Sequence, residues 1–283
     1  MVELGCCAFI FGRRSVEDGL RLVADLGFRR ADVSAADIGE KAQVDQQEAA
    51  ADPARLGRQA REAAARRELR LDELFVCPVF VDGRRVEVND PDRESRRRVL
   101  ESFTGLCDYA AEAGFESIMG VPGVPQEALG PGEAWDLSVE MLGEMVRIAS
   151  GRGVRLNVEP HVGSIVQEPE KALKLVRDVP GLAYTLDHSH FISLGYTEED
   201  IMPLHGFSRH MHARQARKGS GGCVVAQGAI DFGVVVRDLI AREWEGAMAM
   251  EYFAGREEVL HESGAFQNLA LAYQLDRIIR KEN

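Results

Sequence analysis

Short apolar runs alternate along the chain with longer stretches in which apolar residues recur every three to four positions. A short apolar run fits a strand buried on both faces, and the longer period fits a helix that covers it. Strands are expected over residues 3–9, 29–34, 69–76, 115–120, 154–159, 182–187, 209–213 and 247–252. Between them lie the helical patterns "SVEDGLRLVADLG", "DPARLGRQAREAAARR", "DRESRRRVLESFTGLCDYAAEAG", "EAWDLSVEMLGEMVRIASGRG", "PEKALKLVRDV", the short "TEEDIMPL", "DFGVVVRDLIAREW" and "EEVLHESGAFQNLALAYQLDRIIRKE". Gly27, Gly114 and Gly151 follow the last periodic residue of three of them, where a helix commonly stops.

Eight strands, each followed by a helix, is the arithmetic of an α/β fold of the (β/α)8 TIM-barrel kind. The length of 283 residues suits one such domain, and no Pro/Ser linker divides it, so residues 1–283 are expected to form a single barrel. The rival is a doubly wound open sheet, which wants a glycine-rich phosphate turn after its first strand. "FIFGRRSVEDG" does not supply G-x-G-x-x-G, and "GSGG" at Gly219 to Gly222 lacks the G-K-[ST] of a P-loop.

Composition narrows the classes. The chain is 45% apolar with a formal net charge of −12, and its acidic residues are spread along it. That disfavours a sequence-independent nucleic-acid binder, which needs basic surface against phosphates. The most basic segment, "RESRRRVLE", reads as a solvated helix face. No segment approaches about eighteen apolar residues and "MVELGCCAFIFGRR" has no basic region before its apolar run, so neither a membrane span nor a signal peptide is expected. Cys6, Cys7, Cys77, Cys107 and Cys223 show no C-x-x-C spacing and fit core positions in a reduced, cytoplasmic setting.

One stretch resists a purely structural reading. "RLNVEPHVGS" runs into the core and then ends on Glu159, Pro160 and His161. Barrel strands present their C-terminal ends to the active site. The last residues of strands five to eight are Glu159 in "NVEPH", Asp187 in "TLDHSH", His212 in "HMHAR" and Glu251 in "AMEYF". Singly, each reads as a loop-facing or capping residue. Together they would place like charges in one mouth, where they repel unless something positive sits among them. A divalent cation resolves the conflict. Three carboxylates and one imidazole, without thiolate, suit Mn²⁺ foremost, with Mg²⁺, Co²⁺ or Zn²⁺ as alternatives.

On these residues the chain resembles the xylose-isomerase-like barrel superfamily. That group includes sugar phosphate isomerases and epimerases, ketose 3-epimerases, inosose dehydratases and endonuclease IV. "HARQARKG", "QGAIDFGVVVRDL" and "MEYF" resemble the branch labelled sugar isomerase/epimerase. The resemblance implies metal ligands at Glu159, Asp187, His212 and Glu251, and substrate contacts at His190 and Arg217. It also implies a small sugar or polyol as substrate and a homodimer as the assembly. Ketose 3-epimerases carry a further substrate-contacting glutamate soon after the strand-five ligand, whereas "PHVGSIV" has none until Glu168. This weighs against a free-ketose 3-epimerase and leaves the metal set intact.

Such a site supports abstraction of a proton next to a carbonyl, with the cation stabilising the resulting enediolate. Glu159 and Glu251 are placed to take and return the proton as catalytic bases. Isomerase or epimerase chemistry is the expectation. A lyase or dehydratase acting on an inosose or keto-glycoside by the same abstraction is the alternative. The three-metal cluster of endonuclease IV draws on histidines of early strands, yet all seven histidines here fall at or after His161. A non-catalytic sugar-binding barrel would not require two opposed bases. His161 is a candidate substrate contact. His188 is expected to face away from the mouth, and His210 to lie a layer below His212. Arg214, Arg217 and Lys218 form a basic loop, Asp231 reads as a helix N-cap, and Phe9, Phe11, Cys77, Phe80 and Val124 suggest a partly apolar wall.

Overall fold

The computed structural model describes residues 2–12, 14–35, 43–76, 79–81, 83–253 and 264–282, and in it the eight apolar runs form eight parallel strands. They are β1 Val2–Cys7, β2 Arg30–Ser34, β3 Arg70–Phe75, β4 Ser117–Gly120, β5 Arg155–Val158, β6 Ala183–Asp187, β7 Ser208–Ala213 and β8 Gly246–Met250. Strands adjacent in sequence pair in space, and β1 pairs with β8 to close the barrel. Glu159 and Glu251, expected as last strand residues, each stand one residue beyond β5 and β8.

The helices are α1 Val16–Asp25, α2 Gln46–Ala51, α3 Pro53–Ala65, α4 Arg93–Ala113, α5 Pro131–Ser150, α6 Pro169–Asp178, α7 His188–Leu194, α8 Glu198–Ile201, α9 Phe232–Ala241 and α10 Gly264–Glu282. Ser15, Asp52, Asp92 and Asp231 cap four of them by accepting first-turn backbone N–H groups. Gly27 and Gly114 adopt the left-handed conformation that stops a helix, with φ of +90° and +88°. Gly151 does not; its φ is −63°, and Gly153 two residues on makes the turn. Helices α2 and α7 escaped the periodicity because each is too short to show a face. So did the antiparallel hairpin of Val79–Val81 and Arg84–Val86. The start of the C-terminal helical pattern lies outside the described residues. No helix among the described residues is long and apolar enough to cross a membrane.

Barrel interiors are ordinarily filled by branched apolar side chains. Here much of the interior is polar. Glu73 on β3 is buried and accepts hydrogen bonds from Ser117 on β4 at 2.7 Å, Asn157 on β5 at 2.7 Å and Thr185 on β6 at 2.6 Å. Reaching β6 from β3 requires crossing the lumen, because two strands stand between them in the sheet. Three donors on one carboxylate offset the loss of its hydration. Arg30 on β2 forks onto Asp72 on β3, with Nε 3.0 and 2.8 Å from the two carboxylate oxygens, and its Nη1 reaches Glu3 at 2.7 Å. Arg30 and Asp72 are both buried, so neither charge has water to fall back on.

Behind the barrel wall, His188 at the start of α7 faces away from the mouth, as expected. Its Nε2 lies 3.0 Å from Nε2 of His205, whose Nδ1 lies 2.7 Å from Asp238 on α9. The chain of contacts fixes the tautomers: His205 donates from Nδ1 to the carboxylate, so its Nε2 accepts from His188. Burial holds both imidazoles below their ordinary range; the neighbouring His205 adds to this at His188, while Asp238 partly opposes it at His205.

Two stability outcomes are expected. Arg30→Leu strands a buried carboxylate and should lower unfolding free energy by about 3–5 kcal/mol. Adding Asp72→Leu should recover most of that loss in urea titrations; a double variant no better than the single one would contradict the pairing. For His205, the folded value lies below the unfolded one, so only the unfolded chain takes up this proton as pH falls through about 6.5. Stability should therefore drop from pH 7 to pH 5, and the drop should be smaller in His205→Gln, other groups cancelling between the two proteins. Equal slopes would show that His205 takes up its proton in the fold as readily as in the unfolded chain.

Candidate active site

Asp187 shows how local structure presents a carboxylate. It is both the last residue of β6 and the N-cap of α7. Its Oδ1 accepts the Ser189 backbone N–H at 2.8 Å, while its buried Oδ2 has no hydrogen bond. Pro160 follows Glu159 and cannot extend the ladder, so the chain leaves the sheet directly after delivering that carboxylate.

Carboxylate oxygens of Glu159, Asp187 and Glu251 lie within 4.8 Å of one another, all buried. His212 joins them from β7, with Nδ1 3.0 Å from Glu159 Oε1 and 3.6 Å from Glu251 Oε1. His190 adds its Nε2 at 3.6 Å from both Glu159 Oε2 and Asp187 Oδ2. His161 stands more exposed, its ring centroid 4.0 Å from that of His190. Six of the seven residues read from the sequence as site residues are thus gathered at the C-terminal mouth.

Arg217 is placed on the loop beyond β7, where its guanidinium donates to Gln227 at 3.2 Å. The guanidinium set against the carboxylates is that of Arg214. Its Nη2 lies 2.9 Å from Asp187 Oδ2, its Nη1 3.1 Å from Glu251 Oε2, and its Nε donates to Ser189 Oγ at 2.9 Å. The two arginines are three residues apart in one basic loop, and composition alone does not separate them. Gln215 decides the matter. It holds the loop by bonding both backbone groups of Ile230, at 2.8 and 3.0 Å, while its own N–H donates to Tyr252 Oη at 2.7 Å. A Cβ on Gly228 would fall 1.9 Å from the Gln215 amide oxygen, so the "RQAR" and "QGAID" segments close on each other only through a glycine. Asn268 completes the clamp by bonding both backbone groups of Tyr252.

Charge decides what the site can hold. With His212 neutral, as a metal ligand must be, three carboxylates against one guanidinium leave two negative charges in excess, the charge of one divalent ion. Asp187 Oδ2 and Glu251 Oε2 are buried and lack a well-aligned hydrogen bond, even though Arg214 lies at ion-pair distance. Burial opposes a charged His212, yet the Glu251 charge and contacts with Cys7 and Asp32 outweigh it and hold the imidazole well above its ordinary range. That is how an acidic site draws in positive charge. The donor set fits a divalent cation held by Glu159, Asp187, His212 and Glu251.

Nothing in the sequence pattern marks the other partner of His212. Asp32, on β2, is buried and reaches across the lumen to β7, 2.8 Å from His210 Nε2 and 3.5 Å from His212 Nε2. His210 does lie below His212. Burial opposes its charge, but Asp32 and Glu73 push it up to about 9. The apolar wall is present in part. Phe9 packs against Phe75, Phe253 and the His212 ring at centroid distances of 5.9, 6.0 and 6.4 Å. Val124 is held through its backbone by Asn89, and Phe11 is half-buried. Cys77 and the Phe80 side chain lie outside the described residues.

Residues 20–270 match the xylose isomerase-like TIM barrel family, and the chain belongs to it. A curated relative, an inosose isomerase of Bacillus licheniformis, is 28% identical over 124 residues. That match spans 42% of this chain and 44% of the relative's length. Among solved structures, a D-tagatose 3-epimerase-like protein superposes with a TM-score of 0.77 at 17% identity, covering 99% of each chain. A 3-keto-D-glucoside 4-epimerase from E. coli superposes with a TM-score of 0.73 at 14% identity, over 98% of this chain and 100% of the other. At such identities the likeness is one of fold.

Proposed function

We propose that this protein is a divalent-metal-dependent isomerase or epimerase of a sugar or sugar derivative, working by proton abstraction beside a carbonyl. The observation that carries the reading is the convergence of three buried carboxylates, with His212 beside two of them and two carboxylate oxygens lacking aligned donors. The names of the relatives support the substrate class, since an inosose is a polyhydroxylated cyclic ketone and a 3-keto-D-glucoside is a keto sugar.

When bound, the cation, with Mn²⁺ the expected ion, would stabilise the negative charge that develops as a proton leaves the carbon next to a carbonyl. The chain's own residues supply the rest. Glu159 and Glu251 stand after strands β5 and β8, which three strand intervals separate, and each offers a carboxylate to take or return the proton. Arg214, beside Asp187 and Glu251, and His190, beside Glu159 and Asp187, would orient substrate oxygens. His161, stacked on His190, extends that surface outward. The Phe9, Phe75 and Phe253 cluster, drawn from the ends of β1, β3 and β8, gives the site an apolar flank. Return of the proton to the opposite face epimerises the carbon, and delivery to the neighbouring carbon isomerises the sugar.

Metal analysis and solvent exchange test the reading. Protein purified without chelator and supplied with Mn²⁺ should carry about one ion per chain, and Asp187→Asn should lose it. Incubated in D₂O with a panel of ketoses, inososes and keto-glycosides, the loaded wild type should put deuterium beside the carbonyl of its substrate without new ultraviolet absorbance. New absorbance would show an unsaturated product and move the assignment to a lyase. No specific ion in the wild type would overturn the proposal.

A further inference from the structure

We infer that Asp32 is a positioning residue for the cation site: from the opposite wall of the barrel it fixes the His212 ring so that Nδ1, and not Nε2, is presented to the ion. This rests on the metal-dependent reading above.

The geometry is specific. His212 shows Nδ1 to Glu159 and Glu251, at 3.0 and 3.6 Å, and Nε2 to Asp32 Oδ2, at 3.5 Å. An imidazole that ligates through one nitrogen must carry its proton on the other, and a carboxylate facing that second nitrogen selects the tautomer and strengthens the ligand. Asp32 can act in this way because its own position is fixed. Its Oδ2 lies 2.8 Å from His210 Nε2 and accepts from the Cys7 thiol at 3.5 Å, tying it to β7 and β1. The His212 ring is also bracketed by His210 and Phe9, in edge-to-face contacts with centroids 5.6 and 6.4 Å away. A ring turned by half a revolution would face Asp32 with the nitrogen needed by the ion.

A simpler alternative is that Asp32 serves only to balance His210 in the lumen. The two roles differ in what they predict. A structural role lowers stability and leaves the affinity of the folded site unchanged. A positioning role weakens the site at constant stoichiometry.

The experiment is a Mn²⁺ titration of wild type, Asp32→Asn, Asp32→Ala and, as a control on the outer helices, Arg61→Ala, whose guanidinium donates to Glu112 of α4. Free Mn²⁺ is followed by electron paramagnetic resonance, and folding of each protein is checked by circular dichroism. The expected result is a Kd weakened about 10- to 100-fold in the Asp32 variants, Ala more than Asn, with the control near wild type. Asp32→Asn keeps the shape of the side chain and guards against loss of the fold. Folded Asp32 variants that bind Mn²⁺ as tightly as the wild type would overturn the role of Asp32 alone, whereas a wild type that binds none would overturn the metal reading itself. Crystal structures of metal-free wild type and Asp32→Ala give a readout that needs no ion. The His212 ring should turn or occupy two orientations in the variant, and an unchanged single orientation would also count against the inference.

Discussion

The constraint on which the rest depends is the burial of negative charge inside a closed sheet. Three carboxylates at the mouth and two more, Asp32 and Glu73, within the lumen stand where water cannot screen them. Each must meet donors or positive charge, or be protonated. The solutions differ with depth. Glu73 is met by three neutral donors from three strands, Asp32 by an imidazole pair and a thiol, and the mouth by one guanidinium that leaves two charges over. Asp32 Oδ1 lacks a donor as well, but the larger deficit is in the outermost layer, the layer open to a ligand.

That gradient explains why a barrel of this family departs from an apolar filling. An apolar lumen would leave the mouth ligands free to select their own rotamers. A hydrogen-bonded lumen instead transmits position: β3 grips β4, β5 and β6 through Glu73, and β2 grips β7 through Asp32. The hydrogen bonds add modest net stability, about 1 kcal/mol each, but an orphaned member would cost more than it contributes. The network therefore resists partial rearrangement and keeps the mouth carboxylates in one geometry.

Much of this was legible in the sequence, and the limits are physical. Strands and their ends follow from a local pattern, so Glu159, Asp187, His212 and Glu251 could be read as a set. The displacement of Glu159 and Glu251 one residue past their strands left their convergence intact. What a local pattern cannot carry is a contact across the lumen. Asp32 sits in "RRADVSA" with nothing nearby to distinguish it from a capping residue, and its partners lie 178 and 180 residues away in "HMHAR". Which arginine of the basic loop stands against the carboxylates is beyond a local pattern for a related reason. It is set by Gln215, whose partners at Ile230 and Tyr252 fold the loop back and turn the earlier arginine inward.

The same reasoning divides the labour of the barrel. The candidate ligands come from the second half of the chain, β5 to β8, while β1, β2 and β3 contribute Cys7, Asp32 and Glu73, which touch those residues or the ones beneath them. A barrel is closed, so each early strand lies across the lumen from late ones, and a polar side chain there has little to bond except the supports of the site. The first half of this chain, poor in candidate ligands, thus holds the second half in register. Substitutions at Asp32 or Glu73 are changes to the site, although neither residue stands at the mouth.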